Sequence, residues 1–465
     1  MRLFTNFQYP TELLDVAKLF FPNVEQTAAL DLADISVIET ATEDKITYVA
    51  QFGKFKSNKS FDKIESELIN TRYRKRYSKI ALYEVLNNAT GIDMPWGSLT
   101  GIRPTKLARQ IAKETSNWQD VFFDTLRVSQ SKIKLTADIL QQQGELVSSN
   151  AHSADLYIGI PFCVSRCSYC SFTSGELDRL KKYVEPYIDA LCLDVKSTLQ
   201  FASKRNIRLQ NVYFGGGTPT SLSAEQLDKV MSCIDFTPCE YTVEAGRPDT
   251  ITEDKLCVLK THGVNRVSIN PQTFNQSVLD VIGRKHTVSE IYEKYELAKK
   301  YGFIINMDLI AGLPSESFSM FSFSLDEAVR LSPDNITVHT LALKHGSILK
   351  EANYNNADTD VKRMVEYAHR QLYANGYLPY YMYRQKYMSD NLENVGFCKP
   401  NTACSYNIGI MEEITNIMAC GASAISKRIF SSEDRIERAA NAKDVITYIN
   451  RTDDYITKKI ELFCK

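Results

Sequence analysis

The chain lacks any run of about 18 consecutive apolar residues, which excludes a helical membrane span and argues against membrane insertion. Its first residues, MRLFTNFQYPTELLD, carry no apolar segment of signal-peptide length, so a cytoplasmic location is expected. An excess charge of one sign is also missing: 55 Lys and Arg stand against 56 Asp and Glu. No global field draws the surface to nucleic acid, and an anionic substrate must be met locally. Internal repeats and low-complexity tracts are absent. The 11 cysteines are odd in number and belong to a reducing compartment, which disfavours a disulfide framework and leaves metal ligation or burial.

At 465 residues the chain exceeds one hydrophobic core, and two to three domains are expected. Residues 1–150 read as an α/β accessory domain, 151–350 as a barrel domain, and 351–465 as a mainly helical extension that covers the substrate. In the first of these, Arg72 to Arg76 reads either as a phosphate contact or as a solvated helical face. From Leu156 onward, short β-branched runs alternate with helix-length segments: LYIGI, VYF, YTVE, RVSI, INMDLI and ITVHTL. Six β-then-α units in succession predict parallel strands joined by right-handed crossovers. The fold class is therefore α/β, a partial (β/α)6 barrel with active residues at the C-terminal strand ends.

The first strand runs into IPFCVSRCSYC, where Cys163, Cys167 and Cys170 fall in one loop with spacing C-x3-C-x2-C. Three thiolates can hold three corners of an iron-sulfur cube, whereas most [4Fe-4S] clusters take four. The fourth iron is then open to chemistry. A zinc site needs a fourth ligand, and His152, before the strand, is the only histidine near in sequence. The second strand ends in FGGGTPT, and three successive glycines are costly in chain entropy unless backbone must approach something closely. Glu244 ends the third strand, Gln272 and Arg284 follow the fourth, and Asp308 lies on the fifth before AGLP. Each has a bland alternative, as cap, surface cation or turn residue, yet together they stand where barrel chemistry belongs. Cys398 and Cys404 make at most an incomplete second metal site. His286 and His339, near the barrel motifs, read equally well as satisfied polar residues.

These residues resemble the coproporphyrinogen III dehydrogenase family of radical S-adenosylmethionine (SAM) enzymes, the oxygen-independent decarboxylases of heme synthesis. The match runs in order through Tyr157 with IPFC, the cysteine triad, GGGTPT, Glu244, GVNRVSINPQTFN, Arg284 and MDLIAGLP. PWGSLTGIRPTK, YRQKYMSDNLENVGF and CGASAISK resemble its HemZ-type branch. The resemblance implies that Cys163, Cys167 and Cys170 bind the [4Fe-4S] cluster and that Tyr157, Gly216 and Glu244 contact SAM. Positions matching the contacts of a second SAM are Tyr169, Gly217, Thr218, Gln272, Arg284, Asp308 and Ala342. It also implies a tetrapyrrole substrate and an electron donor such as flavodoxin or ferredoxin. Arg384, with Lys386, is a candidate partner for a substrate carboxylate, or part of a solvated loop.

Two positions depart from the decarboxylase pattern. Phe172 stands where the family usually has a fourth cysteine, as in the heme-chaperone branch, and Gly159 replaces a histidine. The expected function is oxidative decarboxylation of coproporphyrinogen III propionates to vinyl groups. Alternatives are a radical SAM methyltransferase or heme-opening enzyme acting on a tetrapyrrole, and a heme-binding chaperone.

Overall fold

The structure, a computed structural model, describes all residues except 102, 148–151, 173, 353, 355–359, 386, 387, 389, 390 and 434, and the side chains of 145 and 432. It divides into two compact units, Met1–Ala137 with Arg384–Lys386, and Asp138–Tyr383 with Tyr387–Lys465. The first boundary thus falls earlier than the expected residue 150. The segment after residue 350 belongs mostly with the barrel rather than standing as a third unit.

In the first unit, strands β1 (Arg2–Thr5), β2 (Glu25–Thr27), β3 (Ile35–Ala41), β4 (Lys45–Phe52) and β5 (Phe55–Asp62) form one sheet in the order β2-β1-β3-β4-β5. Alternation explains its packing: on β4, Ile46, Tyr48 and Ala50 are buried while their neighbours are not, the period-2 signature of a sheet covered on one face. The helices Pro10–Phe20 and Glu67–Thr90 supply the cover through Leu13, Val16, Phe20, Leu82, Tyr83 and Leu86. The basic stretch at Arg72–Arg76 lies on the second of these helices and is half-buried, not freely solvated. Arg74 approaches Glu39 at 3.8 Å and Lys75 approaches Glu12 at 3.5 Å.

The second unit holds the six expected parallel strands: β6 (Ser153–Ile160), then, beyond the short pair β7 (Phe162–Cys163) and β8 (Gly175–Glu176), β9 (Arg208–Gly216), β10 (Glu240–Val243), β11 (Arg266–Ser268), β12 (Ile304–Ala311) and β13 (Asn335–Thr340). They pair in that order, all parallel. Parallel pairing requires long crossovers, here mostly helices such as Leu177–Lys204 and Phe318–Leu331. Burial on both faces accounts for their nearly unbroken apolar text; on β6 every residue from Ser153 to Ile160 is buried except the half-buried Tyr157.

The C-terminal segment holds more helix than strand, as expected, and beside its helices it adds strands that the sequence pattern did not show: β14 (Leu378–Tyr383), β15 (Asn394–Cys398), β16 (Asn416–Cys420), β17 (Ile425–Phe430) and β18 (Arg435–Ala440). The full sheet runs β14-β15-β13-β12-β11-β10-β9-β6-β16-β17-β18. β16 is parallel to β6 and β15 is antiparallel to β13, so the extension covers both edges of the six-stranded core, and β6, which leads into the cysteine loop, is internal.

A buried ion pair fastens this addition. Lys459 Nζ, on the last helix, donates to Asp194 Oδ1 at 2.6 Å and Thr198 Oγ1 at 2.8 Å. Asp194 Oδ2 accepts from the Tyr448 hydroxyl at 2.8 Å and from the Gly421 N–H at 3.2 Å. Removing one partner strands a buried charge, so Lys459→Ala is expected to lower the unfolding free energy by about 3–5 kcal/mol. The apolar pair Asp194→Leu with Lys459→Met should cost less than that single change. Denaturant unfolding of the anaerobic apo-protein checks this; a loss under about 1 kcal/mol for Lys459→Ala would refute it.

Candidate active site

The C-terminal ends of β6 and β9 are drawn together by backbone. Gly217 N–H donates to Ile160 O at 2.7 Å and Thr218 N–H donates to Phe162 O at 2.8 Å. Side chains there would collide. A Cβ on Gly216, whose φ is +113°, would stand 2.8 Å from Ile160 O; one on Gly217 would stand 2.5 Å from Phe162 O and 3.0 Å from Cys163 Sγ. Gly215 makes room for the rings of Tyr157 and Tyr213. The three glycines are therefore explained by close approach.

The cysteine loop is tied down along its length. Cys163 Sγ lies 3.4 Å from Ser174 Oγ and 3.5 Å from Thr218 Oγ1. Ser168 N–H donates to Ile282 O at 3.0 Å, and Ser168 O accepts from Leu349 N–H at 3.0 Å. Burial pushes the Cys170 thiol up to about 11, with Cys167 and Cys163 close enough to add to the rise. A thiolate in such a place needs compensating positive charge, which bound iron supplies. Among the described residues, no three His, Cys, Asp or Glu side chains group as ligands of a single metal ion. A cubane asks for something else, one thiolate per iron, and the donor set in this loop suits it.

Across the mouth stand the polar residues singled out from sequence. Glu244 accepts from the Tyr213 hydroxyl at 2.6 Å. Burial raises its carboxyl to about 7, against that hydrogen bond, and Asp308 adds to the rise. Asp308 behaves oppositely. Burial works upward on it, but His339, Asn306 and Thr337 hold it below the ordinary carboxylate value. Asn306 Nδ2 donates to it at 2.8 Å, and His339 Nε2 lies 3.6 Å away. Tyr157 stacks on Tyr213, which stacks on Tyr406 at 4.2 Å, and this column fills the interior beside Glu244.

Gln272 has φ +66° and is pinned by its backbone to β12, through Asp308 O at 2.9 Å and Ile310 N at 3.1 Å. Its Oε1 is buried without a protein partner, as are Asn270 Oδ1 and Arg284 Nε. Buried polar atoms left open in one region suit a polar ligand such as SAM. Arg284 donates to Asn270 O and lies beside Tyr169 and Cys167. Ala342 forms an isolated bridge to Met388 after β13.

Other candidates are placed elsewhere. Arg384 groups with the first unit, where it is 3% exposed, donates to Leu99 O at 2.6 Å and stacks over Trp96, so the solvated-loop alternative is wrong. Lys386 lies outside the described residues. Cys398 is buried in β15, and Cys404 donates to Glu240 Oε1 at 3.0 Å at the start of β10, the opposite end from the cysteine loop. His286 is fully buried with neither ring nitrogen partnered; burial, with the nearby Arg284 charge, lowers it to about 3 and keeps it neutral. Gly159 has Ala422 O only 3.2 Å from where a Cβ would be, so the β16–β17 turn fills the place of the missing histidine. Sequence reasoning missed Arg247, whose Nη1 reaches Ser165 Oγ at 2.8 Å and Cys167 Sγ at 3.9 Å; RPD after a strand end was its only signal.

Residues 157–328 match the model of the radical SAM superfamily. The oxygen-independent coproporphyrinogen-III oxidase-like protein HemZ of Bacillus subtilis is 36% identical over 97% of this chain and 94% of its own length. The heme chaperone HemW of the same organism is 36% identical over 40% of this chain and 50% of its own. Among solved structures, coproporphyrinogen III oxidase (HemN) of Escherichia coli aligns with a TM-score of 0.52 and 24% identity, over 68% of this chain and 72% of that one. That likeness supports the fold.

The raised Glu244 carboxyl has a sign that can be measured. Unfolded, the group ionises near its ordinary 4.5; folded, it keeps its proton to about 7. Its contribution is fully present below 4.5 and is lost as pH rises to about 7. Relative to Glu244→Gln, wild-type apo-protein should lose about 1–3 kcal/mol of stability across that window and little above it. Parallel stability curves for the two proteins would contradict the assignment.

Proposed function

Because the chain belongs to the radical SAM superfamily, in its oxygen-independent coproporphyrinogen-III oxidase-like branch, we propose that it decarboxylates the propionates of coproporphyrinogen III to vinyl groups, forming protoporphyrinogen IX. One observation carries the choice. Likeness to the oxidase-like relative extends over 97% of the chain, including residues outside the barrel, whereas the B. subtilis heme chaperone matches over 40%. The reading takes the site to hold a [4Fe-4S] cluster through Cys163, Cys167 and Cys170 and one or two molecules of SAM.

When bound, cluster and SAM supply a hydrogen-abstracting 5′-deoxyadenosyl radical; loss of one β-hydrogen atom and one electron from a propionate then leaves a vinyl group and CO2. The chain's own residues bind and orient. Gly216 and Gly217 keep the backbone close enough to the cysteine loop for a small polar ligand to lie across both. Asp308, held ionised, and Glu244, poised near neutrality, present carboxylates to ribose hydroxyls and an ammonium group. Gln272 Oε1 and Arg284 Nε offer a free acceptor and a free donor. The tyrosine column keeps water from the floor of the site. A cytoplasmic setting and a flavodoxin or ferredoxin as electron donor complete the proposal.

A second reading has its own observation: Phe172, two residues after Cys170, is 71% exposed, an apolar ring offered beside the mouth where a porphyrin face could lie. It makes the protein a heme carrier. Anaerobic incubation of the reconstituted protein with SAM, a low-potential reductant and coproporphyrinogen III separates the two. CO2 and vinyl products, abolished in Cys167→Ala, support decarboxylation. SAM cleavage without CO2, or stoichiometric heme binding with transfer to an apo-acceptor and no decarboxylation, would overturn it.

A further inference from the structure

The loop after β10 carries a guanidinium whose place the radical SAM reading leaves unused. Arg247 is 3% exposed. Its Nη1 donates to Ser165 O at 3.0 Å and Ser165 Oγ at 2.8 Å, and stands 3.9 Å from Cys167 Sγ, within reach of an N–H···S hydrogen bond. Its Nε and Nη2 fork onto Asp249 Oδ1 and Oδ2 at 3.0 and 2.8 Å. Thr250 Oγ1 donates to Arg247 O at 2.8 Å and so fixes the backbone that carries it. The result is a fixed group with its carboxylate turned to one side and an N–H edge turned to the middle cysteine.

The geometry points to Arg247 as a positioning residue that holds the cysteine loop and raises the reduction potential of the cluster bound to it. This rests on the radical SAM reading of the triad and is independent of which tetrapyrrole is used. Reduction adds one electron to the cluster, delivered by a low-potential one-electron donor, and no bond breaks. The reduced form is the more negative, so a donor to a cluster sulfur and a nearby cation favour it. Burial limits screening of that cation by water and salt. Asp249 offsets part of the charge but lies on the far side of the guanidinium from the sulfur, and its bidentate grip fixes the direction of the N–H bonds. Arg284 is the neighbouring cation, and its Nε is the open donor already assigned to the ligand region.

Lysine keeps the charge but loses the fork, and methionine loses both. With iron loading equalised by anaerobic reconstitution, a redox titration followed by electron paramagnetic resonance should give potentials in the order wild type, Arg247→Lys, Arg247→Met, from least to most negative. Iron bound per chain before reconstitution should fall in the same order, because Ser165 loses its anchor. Asp249→Asn retains the guanidinium and removes the carboxylate that offsets part of its charge; its potential should become less negative, by a smaller step. Unchanged potentials in the loaded Arg247 variants would overturn the proposal. If neither of those variants takes up iron, Asp249→Asn decides it, a raised potential supporting the role and an unshifted or lowered one refuting it. Failure of coproporphyrinogen decarboxylation with the potentials ordered as stated would count against the substrate reading alone.

Discussion

Two segments of backbone meet at the top of the barrel with nothing between them. The end of β9 lies so near the Ile160–Cys163 segment that a methyl group on Gly217 would press on Phe162 O and on Cys163 Sγ. Gly217 and Thr218 donate across the gap, so the approach is a hydrogen-bonded join. The rest of the site depends on it. It fixes where the cysteine loop begins and gives a small polar ligand a wall made only of backbone. Strand β16 supports the join from the other side by pairing with β6 up to Ile158.

Electrostatics divides the mouth in two. Arg247 and Arg284 stand by the cysteine loop, where negative thiolates are needed. Glu244, just past the end of β10, accepts from Tyr213, and Asp308, on β12, stands beside His339. On the proposed reading, a cationic ligand that also touches the cluster would lie between the two halves. The carboxylates are held in different states, because Asp308 has several donors and Glu244 has only a phenol. Environment, not residue type, sets that difference.

The sequence made the core of this arrangement legible for a physical reason. Parallel strands buried on both faces read as apolar β-branched runs, and all six were visible. The triad and the glycines were visible because their spacing is costly without a purpose. The C-terminal strands were not. YLPYYMY and NIMAC show no clean alternation, since β14 and β16 pack on both sides, and their partners lie far away in sequence. A pairing such as Asn416 with Ala154 has no local signature. Arg384 looked like a loop cation beside aromatics, but its donors meet the carbonyls of Leu99 and Gly101, a contact with no short-range signal. Arg247 was passed over because a single arginine in a turn is ordinary until its neighbours in space are known.

The central claim is an open iron held by three cysteines beside the glycine wall. Its most direct test is the electron paramagnetic resonance spectrum of the anaerobically reconstituted, reduced protein before and after SAM is added. About four irons per chain, a spectrum altered by SAM and the appearance of 5′-deoxyadenosine are expected. A fully loaded cluster whose spectrum ignores SAM and which releases no 5′-deoxyadenosine would contradict it.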